Sequence, residues 1–304
     1  CGSGMKAILM GVQAIQVGAA DCIVAGGMES MSGSPYLLPK ARTGYRMGHA
    51  ELVDSMILDG LWDVYSGLSM GACGEMCAAK FGLTREEQDA YAAQSYTRTW
   101  AAQKAGKFKG EIVPVEVAGK TGTTLVEEDE DPKRGNLEKL PRLKPAFKPD
   151  GTITAGNAPS VNDGAAALVL MAADRAAALG LAPLARIVAA GHYATAPEWF
   201  TVTPGPAILD VLKKAGLKPG DIDLYEINEA FAAVALAAIR VAGLDPARVN
   251  VHGGAIALGH PIGATGARLV ITLLHALEDR GGRRGVAALC LGGGEGMALV
   301  IERV

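Results

Sequence analysis

"DIDLYEINEAFAAVALAAIRVAG", residues 221–243, joins a short stretch of alternating apolar residues to a long run of alanine and valine that Gly243 ends. The first eight residues read as a strand over 221–228 and the remainder as a helix over 229–243. The pattern repeats on both sides. Upstream, "ARIVAAGHYA" (185–194) reads as a strand and "PGPAILDVLKKAG" (204–216) as a helix. Downstream, "RVNVHGGAIALGHPIGATG" (248–266) leads into the helix "ARLVITLLHALEDRG" (267–281), and "GVAALCLGGGEGMALVIE" (285–302) gives two strands around a glycine loop. Strand and helix in regular alternation predict an α/β fold with a mostly parallel sheet.

The other end of the chain is a weak copy of this one. Residues 5–17 have helical apolar spacing and stop at Gly18, and "DCIVAGG" (21–27) follows as a short buried strand. "CGSG", helix, strand and "GG" at the start thus match "GHPIGATG", helix, strand and "GGG" at the end. About eighty residues of strand and helix precede His260 in the second copy and none precede Cys1 in the first, so an incomplete N-terminal half is expected. Residues from about 30 to 150 change character, with mixed charge, a helix over 84–107 opened by the capping box Thr84/Glu87, and a surface loop "EEDEDPKR" at 127–134. This region reads as an insertion. Apolar sequence resumes at "AALVLMAA" after the loop "TAGNAPSVNDGA" (154–165).

Composition narrows the function. The 304 residues are 49% hydrophobic and 20% charged, enough for a sizeable core, and a net charge of -3 without a Lys/Arg-rich run argues against nucleic acid as a partner. The longest apolar stretch, 230–244, is too short to span a bilayer and carries Arg240, so a soluble protein with no membrane partner is expected. Five cysteines, an odd number, form no disulfide framework and fit a reducing compartment. Cys73 and Cys77 lie one helical turn apart but lack further ligands nearby, so no metal is expected and both read as core residues. No targeting peptide is visible, and a cytoplasmic location is expected with organellar targeting left open.

Four positions stand out chemically. Cys1 sits at the start of a helix, where unpaired amides favour a thiolate, and glycines around it let a ligand approach; an N-terminal cysteine without a role is the competing reading. His260 stands among glycines at another helix entrance, with few side chains to pack against. Cys290 ends an apolar strand and precedes three glycines able to form an anion-binding nest. Asn228, with Glu229, opens the helix of the quoted stretch, where an asparagine is first a cap and second a holder of water.

"CGSGMKA" (1–7), "GGMESMS" (26–32), "NEAFA" (228–232), "GGAIALGHPIGATGAR" (253–268) and "CLGGGEG" (290–296), in this order and spacing, resemble the thiolase family along essentially the whole chain. The stretch 44–65, "GYRMGHAELVDSMILDGLWDVY", is more similar to its acetyl-CoA acetyltransferase branch than to long-chain ketoacyl-CoA thiolases.

The resemblance implies a layered αβαβα thiolase fold of two related mixed sheets. Residues 1–30 would be the remainder of the N-terminal core, 31–161 an inserted loop domain, 162–181 the return to that core, and 182–304 the C-terminal core. It implies that Cys1 is acylated, that His260 takes its thiol proton, and that Cys290 exchanges the α-proton of a second acetyl-CoA. Asn228 would hold a water against the enolate oxygen, and the amides of Cys1 and Gly292 would form a second oxyanion hole. Met70 and Phe231 would line the acyl pocket, and the 154–165 loop, with Ala155, Pro159 and Ser160, would follow the pantetheine arm. Ser69 departs from the histidine that many relatives carry before the methionine, and Pro159 and Ser160 depart from their Asn-Ala-Ser-Gly loop. The implied reaction is reversible condensation of two acetyl-CoA to acetoacetyl-CoA and CoA in lipid metabolism. CoA esters are then the only small-molecule partners, no cofactor is needed, and a homodimer or homotetramer is expected. A 3-ketoacyl-CoA thiolase of fatty-acid β-oxidation is the first alternative. An N-terminal-nucleophile hydrolase and a non-catalytic CoA-ester-binding subunit follow, and a ketoacyl synthase fits less well because of the second cysteine in its glycine loop.

Overall fold

The computed structural model describes residues 1–120 and 122–304. Helix α1 (Ser3–Gln16) buries Met5, Ile8 and Leu9 at helical spacing, and strand β1 (Cys22–Ser30) runs back beside it. The insertion opens with two small antiparallel pairs, β2 (Tyr36–Leu37) with β3 (Val53–Asp54), and β4 (Trp62–Asp63) with β5 (Leu68–Ser69). Helices α2 (Met70–Lys80) and α3 (Arg85–Lys104) follow, the second with the expected capping box formed by Thr84 and Glu87. An exposed hairpin, β6 (Val115–Gly119) with β7 (Gly122–Val126), projects from the insertion.

β8 (Asp163–Met171) returns antiparallel to β1, and a short α4 (Ala173–Ala178) leads to β9 (Ala185–Ala194). The C-terminal unit continues with α5 (Pro204–Ala215), β10 (Leu224–Ile227), α6 (Ala232–Ala242), α7 (Ala255–Leu258), α8 (Ile262–Arg280), β11 (Arg284–Leu291) and β12 (Glu295–Arg303). Its sheet has the order β10-β11-β12-β9. The mostly parallel sheet expected from the alternation is instead mixed. β10 and β11 run parallel, while β12 is antiparallel to both neighbours because β11 turns directly into it through Gly292–Gly294.

α1 and α8 form a layer between the β1–β8 pair and the four-stranded sheet, whose far face carries α5 and α6. α8 is therefore covered on both sides, which explains why Leu269, Val270, Leu273 and Leu277 are buried along with Ala264, Ala267 and Ala276. β1 is less enclosed than its apolar sequence suggests: Ala25 points into the helices, while Val24 and Met28 on the other face are exposed. No helix among the described residues is long and apolar enough to cross a membrane.

Candidate active site

The first turns of α1 and α8 meet through glycine. A Cβ at Gly4 would come within 2.8 Å of the Ala267 amide nitrogen, and one at Gly266 would run into the Met5 backbone. Only hydrogen at these positions lets two helix starts approach so closely, and this contact carries Cys1 and His260 toward each other. Gly2 packs against Leu291 and Met297, so Cys1 lies beside the end of β11, where Cys290 is buried. Gly293 and Gly294 have φ of 88° and 85°, and a side chain on Gly294 would strike the Thr195 carbonyl oxygen, so the reversal after Cys290 requires glycine.

His260 is 8% exposed and held on three sides. Its amide donates to Asn162 Oδ1 (3.1 Å) and lies 3.3 Å from the Ser160 carbonyl oxygen. Its Nδ1 lies 2.6 Å from Thr265 Oγ1, and its Nε2 lies 3.2 Å from Asn228 Nδ2. Burial, and then the positive charge of Arg268, push the imidazole down to about 3, so it rests neutral. Burial likewise pushes the Cys290 thiol up to about 12. The resting pair is therefore a thiol and a neutral imidazole.

Asn228 is not the helix cap that the sequence suggests. It follows β10 and donates its amide to the Ala288 carbonyl oxygen (2.9 Å), and α6 begins four residues later with Phe231 as N-cap, so the "NEAF" segment is non-helical. What holds this segment is Glu229, 1% exposed, whose carboxylate accepts from Tyr91 Oη, Ser95 Oγ, Asn250 Nδ2 and the Ile256 amide. Asn228 Oδ1 is buried with no hydrogen-bond partner among the described residues.

Met70 starts α2 and its Cε would stand 3.4 Å from a Cβ on Gly292, so it closes over the glycine loop. Phe231 is buried with Cys290, Ile153 and Cys73, and stacks edge-on against Phe147, with ring centroids 6.1 Å apart. The structure thus brings Cys1, Asn228, Phe231, His260, Cys290, Gly292 and Met70 into one region. Ser69, next to Met70, is the N-cap of α2, and its Oγ accepts from the Ala72 amide. Ala155, Pro159 and Ser160 lie on a loop pinned at both ends, by Asn157 to the start of α6 and by Asn162 to His260. Ser160 donates to Asp131 (2.5 Å) and lies 2.9 Å from Asn162 Oδ1.

Asp131 was hidden in the charged run expected to be a surface loop; it is buried, also accepts from Asn162 Nδ2, and joins the insertion to the backbone of His260. Glu29, whose Oε2 accepts from the Gly263 amide (3.0 Å), and Thr265 are further partners that sequence reasoning did not single out. Nothing in the sequence distinguishes Asp131 from its four acidic neighbours. A threonine five residues after a glycine-flanked histidine, on the same helix entrance, was a usable signal. Cys73 and Cys77 are both fully buried, as core residues.

Comparison with known proteins agrees with this architecture. Residues 1–174 match the thiolase N-terminal domain and residues 181–303 the thiolase C-terminal domain. Acetyl-CoA acetyltransferase 2 of Arabidopsis thaliana is 53% identical over 305 aligned residues, covering 99% of this chain and 76% of that protein. An acetyl-CoA acetyltransferase of Pseudomonas aeruginosa is also 53% identical, over 100% of this chain and 78% of its own length. Among solved structures, the Bacillus anthracis acetyl-CoA acetyltransferase superposes with a TM-score of 0.97 at 43% identity, over 100% of this chain and 77% of that one. Human mitochondrial 3-ketoacyl-CoA thiolase superposes with a TM-score of 0.96 at 44% identity and the same coverage. Both halves of the chain, its layered fold and its helix-start pair carrying Cys1 and His260 place it in the thiolase family.

Proposed function

We propose that the chain is an acetyl-CoA acetyltransferase that condenses two acetyl-CoA to acetoacetyl-CoA and CoA through acetyl-Cys1, a reading supported by relatives of that name at about half identity over its length. The observation that carries the mechanism is the neutral, buried His260 with Nε2 beside Asn228. His260 takes the Cys1 thiol proton as the thiolate attacks the thioester carbonyl. CoA leaves as a thiolate and takes the Cys290 proton. The resulting Cys290 thiolate is a strong base, since burial opposes its charge, and it removes the α-proton of the second acetyl-CoA. The enolate attacks acetyl-Cys1, and the released Cys1 thiolate recovers its proton from His260. Charge on the enolate oxygen is met by His260 and by a water held at Asn228; the Gly292 amide and the Cys1 main-chain nitrogen face the tetrahedral oxyanion. Side chains and the substrate's own thioester carry every step, and no resident cofactor is assigned.

Phe231 and Phe147 support a short acyl pocket. The comparable similarity to a 3-ketoacyl-CoA thiolase favours one second reading, the same chemistry on longer chains. Turnover of acetoacetyl-CoA against longer ketoacyl-CoA separates them. The exposed Val115, Val117, Leu125 and Val126 on the β6–β7 hairpin support a homo-oligomer, dimer or tetramer, and five free cysteines support a reducing, cytoplasmic setting within lipid metabolism. The direct test is intact mass after acetyl-CoA exposure: an adduct of about 42 Da on the parent and Cys290→Ala but not Cys1→Ala. An adduct surviving Cys1→Ala sinks the assignment of the nucleophile.

A further inference from the structure

We propose that Thr265 is a positioning residue that fixes the proton of His260 on Nδ1 and so leaves the lone pair on Nε2, the nitrogen that takes up the thiol proton. This rests on the condensing-enzyme reading above. Thr265 is fully buried one turn into α8, and its Oγ1 lies 2.6 Å from His260 Nδ1 and donates to the Pro261 carbonyl oxygen at 2.9 Å. A hydroxyl has one proton. With that proton on Pro261, Thr265 can only accept from His260, so Nδ1 carries hydrogen. Nε2 then carries the lone pair, which accepts from Asn228 Nδ2 at 3.2 Å until a thiol proton takes that place, and Asn228 Oδ1 is left without a partner among the described residues. The competing arrangement, Thr265 donating to Nδ1, puts the proton on Nε2 and leaves the ring no lone pair with which to take the Cys1 proton.

The lock works in both protonation states. In the neutral ring it selects the tautomer; after proton transfer the same Nδ1–H still points at the Thr265 oxygen, so no regrouping is needed during the step. A hydroxyl carries no charge, so it orients the ring without drawing a standing proton onto it, which agrees with the neutral resting imidazole. Thr265 acts through His260 and does not itself meet the acyl group.

The test pairs Thr265→Val, which keeps the shape and removes the oxygen, with Thr265→Ser, which restores it, and with Thr265→Ala should the valine variant not fold. Nitrogen-15 spectra of the imidazoles, with His260 assigned through His260→Asn, read the tautomer directly. The expected result is hydrogen on Nδ1 in the parent and in Thr265→Ser, and a mixture or the other tautomer in Thr265→Val. Acetylation of Cys1 should then fall by about tenfold to a hundredfold in the valine variant at unchanged KM, with serine recovering most of it. Hydrogen on Nε2 in the parent overturns the proposal, as does a valine variant that acetylates at the parent rate. Failure of the parent to acetylate at all faults the activity reading instead, and the spectra still decide the role of Thr265.

Discussion

Replacing Glu229 by glutamine tests whether the non-helical "NEAF" segment is held by a buried carboxylate. In the native site Oε1 accepts from Tyr91 Oη and Asn250 Nδ2, both at 3.0 Å, and Oε2 accepts from Ser95 Oγ at 2.7 Å and the Ile256 amide at 2.9 Å. Glutamine keeps the shape but turns one acceptor into a donor. The least damaging orientation directs its Nε2 toward Tyr91 and Asn250, because the Tyr91 hydroxyl can rotate to accept and Asn250 already serves the Ile227 carbonyl oxygen at 2.9 Å. The Ile256 amide cannot rotate, so the opposite orientation strands it. Even in the better case one bond is lost and the rest become neutral ones. Four charge-assisted bonds at about 1.5–3 kcal/mol each give way to three neutral ones at about 1 each, so the loss should be about 3–9 kcal/mol, toward the lower end because the neutral amide is spared the cost of burying a charge. Urea unfolding should show this as a lower midpoint at unchanged slope, and acetylation of Cys1 should slow because Asn228 sits one residue away. Ser95→Ala, which removes one donor, should lose less. A change below about 0.5 kcal/mol for Glu229→Gln would refute the view that this carboxylate organises the segment.

Stability should fall on acidification because the unfolded chain protonates His260 at its ordinary value while the folded chain resists until about pH 3. Its contribution is complete above pH ~6.5 and is lost downward at up to about 1.4 kcal/mol per unit, so His260→Asn should flatten that limb in urea titrations. Glu226 has the opposite sign. Burial pushes its carboxyl up to about 8, so its contribution is whole below its ordinary value and lost as pH rises through 8, and Glu226→Gln should flatten the alkaline limb. Gly27→Ala should be among the most damaging small changes, since its Cβ would run into the Gly263 carbonyl oxygen at the start of α8; a variant that melts with the parent would contradict the close approach. Above about pH 8, where Glu226 is ionised, Arg268→Met should destabilise more than Glu226→Gln with Arg268→Met together, because the single change removes the guanidinium 3.7 Å from a buried carboxylate while the double change removes both charges.

Much of the layered fold was legible because its signals are local. Alternating strands and helices, glycines at helix ends and the capping box at Thr84 all depend on neighbours within a few residues. The motifs around Cys1, His260 and Cys290 were legible for a related reason: close approach between backbones demands glycine, and glycine is visible. What the sequence concealed depends on distant partners. Asp131 looks like its neighbours in an acidic run until the 154–165 loop folds against it. Asn228 looks like a cap because strand end and helix start lie close in sequence, and only the donors from Tyr91, Ser95 and Asn250 reveal that Glu229 keeps the four residues between them out of the helix. The sheet's mixed direction was concealed as well, since an apolar strand reads alike whether its partner runs with it or against it.

Two helix starts converge on the site, and this decides which charges it can stabilise. α1 has no side-chain cap and no acidic residue in its first turn, so its free amides and dipole face Cys1 uncompensated. α8 also lacks an acidic residue in its first turn, and only Glu29, reaching across from β1, takes up the Gly263 amide. The carboxylate nearest Asn228, that of Glu229, is fully engaged by four donors and turned toward the insertion. Positive potential therefore reaches the reacting atoms from the backbone, and among the described residues no carboxylate is hydrogen-bonded to His260 to draw a proton onto it. A histidine backed by an acid would rest partly charged beside a thiolate. Here it rests neutral beside a thiol, and the site's electrostatic work is reserved for negative charge when it appears, on the attacking sulfur, the thioester oxygen and the enolate. That arrangement suits a reaction in which each charge that develops on sulfur or oxygen is negative, and it explains why the groups around His260 are amides and a hydroxyl.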